Sequence, residues 1–276
     1  MASQPTTTDR PIDRLLTVMA RLRAPEGGCP WDLVQTYRTI APHTIEEAYE
    51  VVEAIESGDM DALKEELGDL LFQVVYYTQM AREEGLFDFE DVAETITDKM
   101  IRRHPHVFGN DEVKTAEMQT SRWEEHKAAE RAKKAAHGGA ALPSALDGVS
   151  TALPALTRAL KLQNRAARVG FDWTDARDIL DKIEEEIGEL RAEMTDDAVP
   201  ERVADEMGDL LFAVTNLARR LGVDPETALR GTNAKFERRF RRIEERLHEQ
   251  GKTPAESTLD AMEALWQEAK RDERNR

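Results

Sequence analysis

Glu185-Glu186-Ile187-Gly188-Glu189, followed by Asp205-Glu206-Met207-Gly208-Asp209-Leu210-Leu211-Phe212, repeats a pattern already written earlier in the chain. The first copy is Glu46-Glu47-Ala48-Tyr49-Glu50, followed by Glu65-Glu66-Leu67-Gly68-Asp69-Leu70-Leu71-Phe72. Each copy reads EExxE, a spacer, then ExGDLLF. Residues three and four apart share a helix face. Glu47 and Glu50 therefore project together, as do Glu66 and Asp69, and likewise Glu186 with Glu189 and Glu206 with Asp209. Two such helices side by side aim four carboxylates at one point beside an apolar Leu-Leu-Phe run. Four acids so placed repel one another unless a cation lies between them. Oxygen ligands of this kind suit Mg²⁺, with Mn²⁺ as the alternative. A single EExxE is ordinarily a solvated helix face. Here Asp69 and Asp209 each interrupt an otherwise apolar helix, and they do so at the same place in both copies, which favours metal binding.

The repetition extends beyond the acids. The EExxE blocks are offset by 139 residues and the GDLLF blocks by 140. Lys99-x-x-Arg102-Arg103 returns as Lys235-x-x-Arg238-Arg239, and Trp123-x-x-x-Lys127 as Trp266-x-x-x-Lys270. Four blocks in one order indicate a duplication. Neither half has the period-two alternation of strands, so the expected fold is all-α, with tandem helical bundles. The expected organisation is a loose tail over residues 1–11, an N-terminal domain over 12–136, a linker over 137–155 and a C-terminal domain over 156–276. Within it, Thr44 is the expected N-cap of the helix bearing Glu46. Met60–Glu83 reads as a long helix with its middle, Leu67 to Tyr77, buried on nearly all sides. His104 to Gly109 reads as a tight loop, and Glu117 to Lys134 as a charged helix.

Composition narrows the function. The 276 residues carry a net charge of −17, which disfavours nucleic acid as a partner. Any phosphate group must therefore be met by a local metal, Lys or Arg. Cys29 is the sole cysteine, so no internal disulfide and no cysteine-based zinc site is available. The polar N-terminus lacks a signal-peptide core, and no apolar run is long enough to span a bilayer, so a soluble cytoplasmic protein without a membrane partner is expected. A di-iron carboxylate bundle would need Glu-x-x-His on two helices. The one such pair, Glu245/His248, lies on a charged helix away from the quartets.

The basic blocks complete a phosphate-handling set. Lys235, Arg238 and Arg239 share one helix, as do Lys99, Arg102 and Arg103. Alone, such runs usually solvate helices. Beside a metal–carboxylate centre they are what polyphosphate chemistry requires, since arginine forks neutralise charge developing on phosphate oxygens. Of the four tryptophans, Trp123 and Trp266, each one turn before a lysine, are the favoured base stackers. Spacing does not say which carboxylate acts as general base.

Cys29-Pro30-Trp31-Asp32, Ile45 to Glu50, Glu65 to Phe72 and Arg102-Arg103-His104-Pro105-His106-Val107-Phe108 together resemble the MazG family of nucleoside triphosphate pyrophosphohydrolases. Lys161-Leu162-Gln163, the run Arg165 to Trp173, and Lys235-Phe236-Glu237-Arg238-Arg239-Phe240 are similar to that family's C-terminal domain. The resemblance covers about residues 12–272. It implies Mg²⁺-dependent hydrolysis of nucleoside triphosphates to monophosphate and pyrophosphate, broad base tolerance, a homodimer, and a role in clearing aberrant nucleotides or adjusting pools under stress. By motif, it implies metal ligands Glu47, Glu50, Glu66 and Asp69 in the first domain and Glu186, Glu189, Glu206 and Asp209 in the second. It places Lys235, Arg238, Trp266 and Lys270 on the nucleotide. Both quartets are intact. The second is favoured as catalytic because its basic helix continues through Arg241 and Arg242. The rivals are a pyrophosphatase narrow for dUTP or phosphoribosyl-ATP, and a non-catalytic acidic helical adaptor.

Overall fold

A computed structural model describes residues 10–109, 115, 118, 144–195 and 197–274. Residues 1–9 of the tail, most of the charged helix expected from Glu117 to Lys134 (including Trp123 and Lys127), and residues 137–143 of the linker lie outside the described residues. The chain divides into two compact units, Met1–His126 and Lys127–Arg276. Among the described residues every regular element is helical.

The first unit holds α1 (Pro11–Leu22), α2 (Pro30–Leu33), α3 (Tyr37–Ser57), α4 (Met60–Glu83), α5 (Phe89–Arg103) and α6 (Pro105–Phe108). Helix α3 begins seven residues before Thr44. Its cap is Thr36, whose hydroxyl accepts from the Thr39 amide while the Thr39 hydroxyl accepts from the Thr36 amide, a reciprocal cap that satisfies two orphan donors. Thr44 is instead mid-helix, its hydroxyl 2.7 Å from that of Tyr77. Pro42 lies in the second turn, where its missing N–H costs a single backbone bond, the one to Arg38. Gly58 ends α3 with φ 73°, a left-handed conformation that glycine adopts without strain. Asp59 then accepts from the amides of Asp61 and Ala62 to start α4. The expected tight loop at His104–Gly109 contains the one-turn helix α6, opened by Pro105 at its first position.

Helices α1, α3 and α5 all pack on α4. Met19 from α1, Ile40 from α3, and Val75, Tyr76 and Met80 from α4 form the core. Each such side chain contributes roughly 1.5–3 kcal/mol on burial. The core holds only the C-terminal half of α4. Leu67 and Leu71 are 50% and 40% exposed, so the expectation of a helix buried all round from Leu67 is corrected. Among the described residues three helices pack on α4, and Leu67 and Leu71 stay exposed.

The second unit repeats the plan with α7 (Ala155–Arg168), α8 (Ala176–Glu193), α9 (Pro200–Arg220) and α10 (Pro225–Glu249), and adds a 3-10 turn (Pro254–Glu256) and α11 (Leu259–Arg274). Helices α7, α8 and α10 pack on α9 as α1, α3 and α5 pack on α4. Helix α11 lies against α10, joined by Arg239–Glu273 at 2.6 Å and Arg246–Glu268 at 2.6 Å. In both units the GDLLF helix is central and the EExxE helix is its neighbour. That pairing sets the site.

Candidate active site

Helices α3 and α4 bring carboxylate oxygens of Glu47, Glu66 and Asp69 within 4.8 Å of one another, and α8 and α9 do the same with Glu186, Glu206 and Asp209. Glu50 and Glu189 complete each group electrostatically. Burial raises the Glu66 carboxyl above its ordinary range, and the charge of Glu50 adds to the rise. Burial likewise raises Glu206, with Glu189, Asp209 and Glu186 adding to it. Glu47 is raised by burial and then by Asp69 and Glu50. Desolvation and like-charge repulsion thus act together on each cluster.

Such donors fit a hard divalent cation. Every ligand atom is a carboxylate oxygen, and two oxygens opposite each other across a Mg²⁺ lie about 4.2 Å apart. Small rotations of side chains already within 4.8 Å would reach that spacing.

The second cluster carries a group that was not singled out in the sequence. Lys182 Nζ lies 2.9 Å from Glu186 and 2.9 Å from Glu185. Both contacts raise the lysine pKa, Glu186 most. Glu186 itself is only 5% exposed, so Lys182 supplies a built-in countercharge to its most buried acid. The signal was legible: a lysine four residues before a glutamate pairs with it on a helix. By the 139-residue offset the first copy has His43 at this position, and His43 faces Glu46 at 3.4 Å rather than Glu47. There Gln73 Nε2 reaches Glu47 at 3.5 Å.

The basic residues fall into separate groups. Lys235, Arg238 and Arg239 all act on the Glu273 carboxyl and hold it below its ordinary range, Arg239 most through a hydrogen bond. The Arg239 guanidinium lies over the Trp266 ring at 5.4 Å, and Phe236 packs on the same ring at 5.3 Å. Lys270 is half-buried on α11. In the first unit Lys99 lines a shallow groove with Phe87 and Ile96, Arg102 is exposed and Arg103 is buried.

The comparisons with known proteins follow the same two halves. The profile of the MazG nucleotide pyrophosphohydrolase domain matches residues 35–108, which contain the first cluster. The profile of phosphoribosyl-ATP pyrophosphohydrolase matches residues 153–236, which contain the second. A nucleoside triphosphate pyrophosphohydrolase of Escherichia coli (strain K12) is 52% identical over 263 residues, covering 95% of this chain and 98% of its own. The nucleoside triphosphate pyrophosphohydrolase/pyrophosphatase MazG of Thermotoga maritima is 43% identical over 259 residues, covering 94% and 95%. The uncharacterized protein YabN of Bacillus subtilis is 43% identical over 258 residues, 94% of this chain but 51% of its own length. With two relatives matched nearly end to end and the duplicated acidic helices in place, the chain belongs to the MazG family of nucleoside triphosphate pyrophosphohydrolases.

Proposed function

We propose that this protein hydrolyses nucleoside and deoxynucleoside triphosphates to monophosphate and pyrophosphate, with Mg²⁺ held by the second carboxylate cluster. The observation that carries the proposal is the convergence of Glu186, Glu206 and Asp209 on one point, in a chain matched along 95% of its length to the E. coli enzyme. Glu189 would complete the ligand set. When bound, the cation would neutralise phosphate charge and polarise the scissile anhydride. The chain's own residues do the rest. The acids hold the cation and orient water, and Lys182 is placed to exchange Glu186 for a phosphate oxygen, as a compact point charge can. Lys235, Arg238, Arg239, Trp266 and Lys270 are proposed to contact the nucleotide from α10 and α11, which requires Arg239 to leave Glu273. In the first unit Glu47, Glu50, Glu66 and Asp69 would bind a cation in the same way, with Lys99, Arg102 and Arg103 as its cationic complement; Trp123 and Lys127, expected beside them, lie outside the described residues.

A homodimer is part of this proposal. Leu67, Leu71, Met207, Leu211 and Phe212 are 40–51% exposed beside the acids, and exposed leucine rows of this kind mark association surfaces. No helix among the described residues is long and apolar enough to cross a membrane. The proposed setting is the cytoplasm, with a housecleaning or stress role on nucleotide pools.

The test is product analysis with a panel of NTPs and dNTPs, with Mg²⁺ and with chelator. Monophosphate plus pyrophosphate, only with metal, is the expected result. Diphosphate plus orthophosphate would overturn it, and no product with metal bound would favour the adaptor. The profile match over residues 153–236 favours one narrower reading, so phosphoribosyl-ATP belongs in the panel. Turnover of that compound alone would replace the broad assignment.

A further inference from the structure

One carboxylate of α11 gathers the three cations of the α10 basic block. Lys235, Arg238 and Arg239 stand at i, i+3 and i+4, on one face of the helix. Arg239 donates to a single Glu273 oxygen, from Nε at 2.8 Å and from Nη2 at 2.6 Å. Arg238 Nη2 lies 3.9 Å from the other oxygen, and the charge of Lys235 acts on the same carboxyl. The Arg239 side chain is 16% exposed and lies over the Trp266 ring at 5.4 Å. Its fork therefore faces Glu273 on one edge and an aromatic surface on its flat side.

Glu273 is poorly served by its own helix. It stands in the last turn of α11, between Arg271 and Arg274. A carboxylate there meets the negative end of the helix dipole, where cations are favoured. The cations of α10 are thus what hold it. The rest of α11 is anchored separately, by the buried Ala269 and by the Arg246–Glu268 pair at 2.6 Å. A cavity of about 300 Å³ lies at the contact, lined by Arg238, Arg239 and Arg242 from α10 and by Asp272 and Glu273 from α11. An anion has room to approach the guanidinium groups, and the last turn can swing aside without α11 leaving α10.

We propose that Glu273 is an autoinhibitory latch: without substrate it occupies the cations that receive the phosphates, and a polyphosphate binds by displacing it. The proposal rests on the assignment of Lys235, Arg238 and Arg239 to the nucleotide made above and deepens it. Carboxylate and phosphate oxygens are alternative acceptors for one arginine fork. Glu273 makes its hydrogen bonds with Arg239 alone, whereas a polyphosphate can engage all three cations at once, which sets the direction of the exchange. The latch lowers the apparent affinity by the fraction of molecules in which Arg239 is free.

The test is calorimetric titration of the full-length protein with inorganic tripolyphosphate, at fixed ionic strength and with Mg²⁺ present. Glu273→Gln is expected to bind about fivefold more tightly, the scale of one partly exposed ion pair. Glu268→Gln is the matched control. It removes one acid from the same helix and breaks the other α10–α11 pair, but touches none of the three cations, so its affinity should equal that of the wild type. Because Glu273→Gln also loosens the last turn, a second measurement reads the wild type itself. The side-chain carboxyl ¹³C resonance of Glu273, assigned with Glu273→Asp, should move to that of a solvated glutamate as tripolyphosphate is added. Unchanged affinity in Glu273→Gln, an equal gain in both variants, or a stationary resonance at saturation would overturn the latch even if pyrophosphate release is observed. Latch behaviour without any pyrophosphate release from triphosphates would retain it and refute the proposed reaction.

Discussion

Glu186→Gln separates a structural acid from a ligand acid. In the metal-free protein Glu186 is repelled by Glu206 and Asp209 within 4.8 Å and attracted by Lys182 at 2.9 Å. Coulomb energy falls as the inverse of distance, so two repulsions at no more than 4.8 Å exceed one attraction at 2.9 Å by a factor of at least about 1.2, whatever the dielectric. The terms offset each other in large part. Replacing the charge with an isosteric amide should therefore change metal-free stability by about 1 kcal/mol or less, a shift of about 2–4 °C in Tm for a domain of this size. With Mg²⁺ the balance is different, because a cation among the acids turns each repulsion into shared attraction. Wild type should then gain several degrees on adding Mg²⁺, by ordinary linkage, and Glu186→Gln should lose most of that gain together with turnover. The assay is calorimetric melting with chelator and across a Mg²⁺ titration. A metal-free Tm lowered by more than about 8 °C would mean that the Lys182–Glu186 pair is structural and the reasoning is wrong. An undiminished Mg²⁺-induced rise would remove Glu186 from the ligand set.

Other outcomes follow from the same geometry. The carboxyls of Glu47, Glu66 and Glu206 are raised by burial and by neighbouring acids, so their ionisation opposes folding at neutral pH. Metal-free stability should rise as pH falls from 7 toward the carboxylate range, and Mg²⁺ affinity should fall over the same interval; melts at stepped pH check both. Glu273 has the opposite sign, being lowered chiefly by Arg239. Its contribution is present above the ordinary carboxylate pKa and lost as pH falls through the lowered one, so fluorescence from Trp266 should change there in wild type and not in Glu273→Gln. Tyr76→Phe removes a buried donor to Asp32 and should destabilise the first unit by about 1–2 kcal/mol in urea unfolding, leaving pyrophosphate release intact. Replacing Leu211 with Lys, at an exposed position beside the second cluster, should shift sedimentation toward the monomer.

Much of this was legible in the sequence because it depends on local spacing. Helical period placed Glu186 with Glu189 and Glu206 with Asp209, and the 140-residue offset paired the two halves. The start of α3 was misplaced because Thr36 with Thr39 and Thr44 are each plausible caps, and Thr44 reveals its role only through Tyr77, thirty-three residues away. The burial of α4 was overestimated because apolar content does not say how many neighbours a helix has, and Leu67 and Leu71 stay exposed. A cavity around Gln163 was out of reach for a related reason. Its lining comes from Leu146 ahead of α7, from α7, from the turn before α8 and from α9, and the sense of its Gln163 and Asn216 amides is set by the Phe212 carbonyl and Arg219. No period along one helix encodes that arrangement.

The central claim is that the second cluster carries the hydrolysis. Its most direct test is the rate of pyrophosphate release from ATP with Mg²⁺ in two paired variants, Glu206→Gln with Asp209→Asn, and Glu66→Gln with Asp69→Asn. The account predicts that the first pair lowers the rate at least a hundredfold, about the effect of losing more than 2.7 kcal/mol of transition-state stabilisation, while the second pair leaves most of it. Loss of turnover in the second pair, with the first still active, would contradict it.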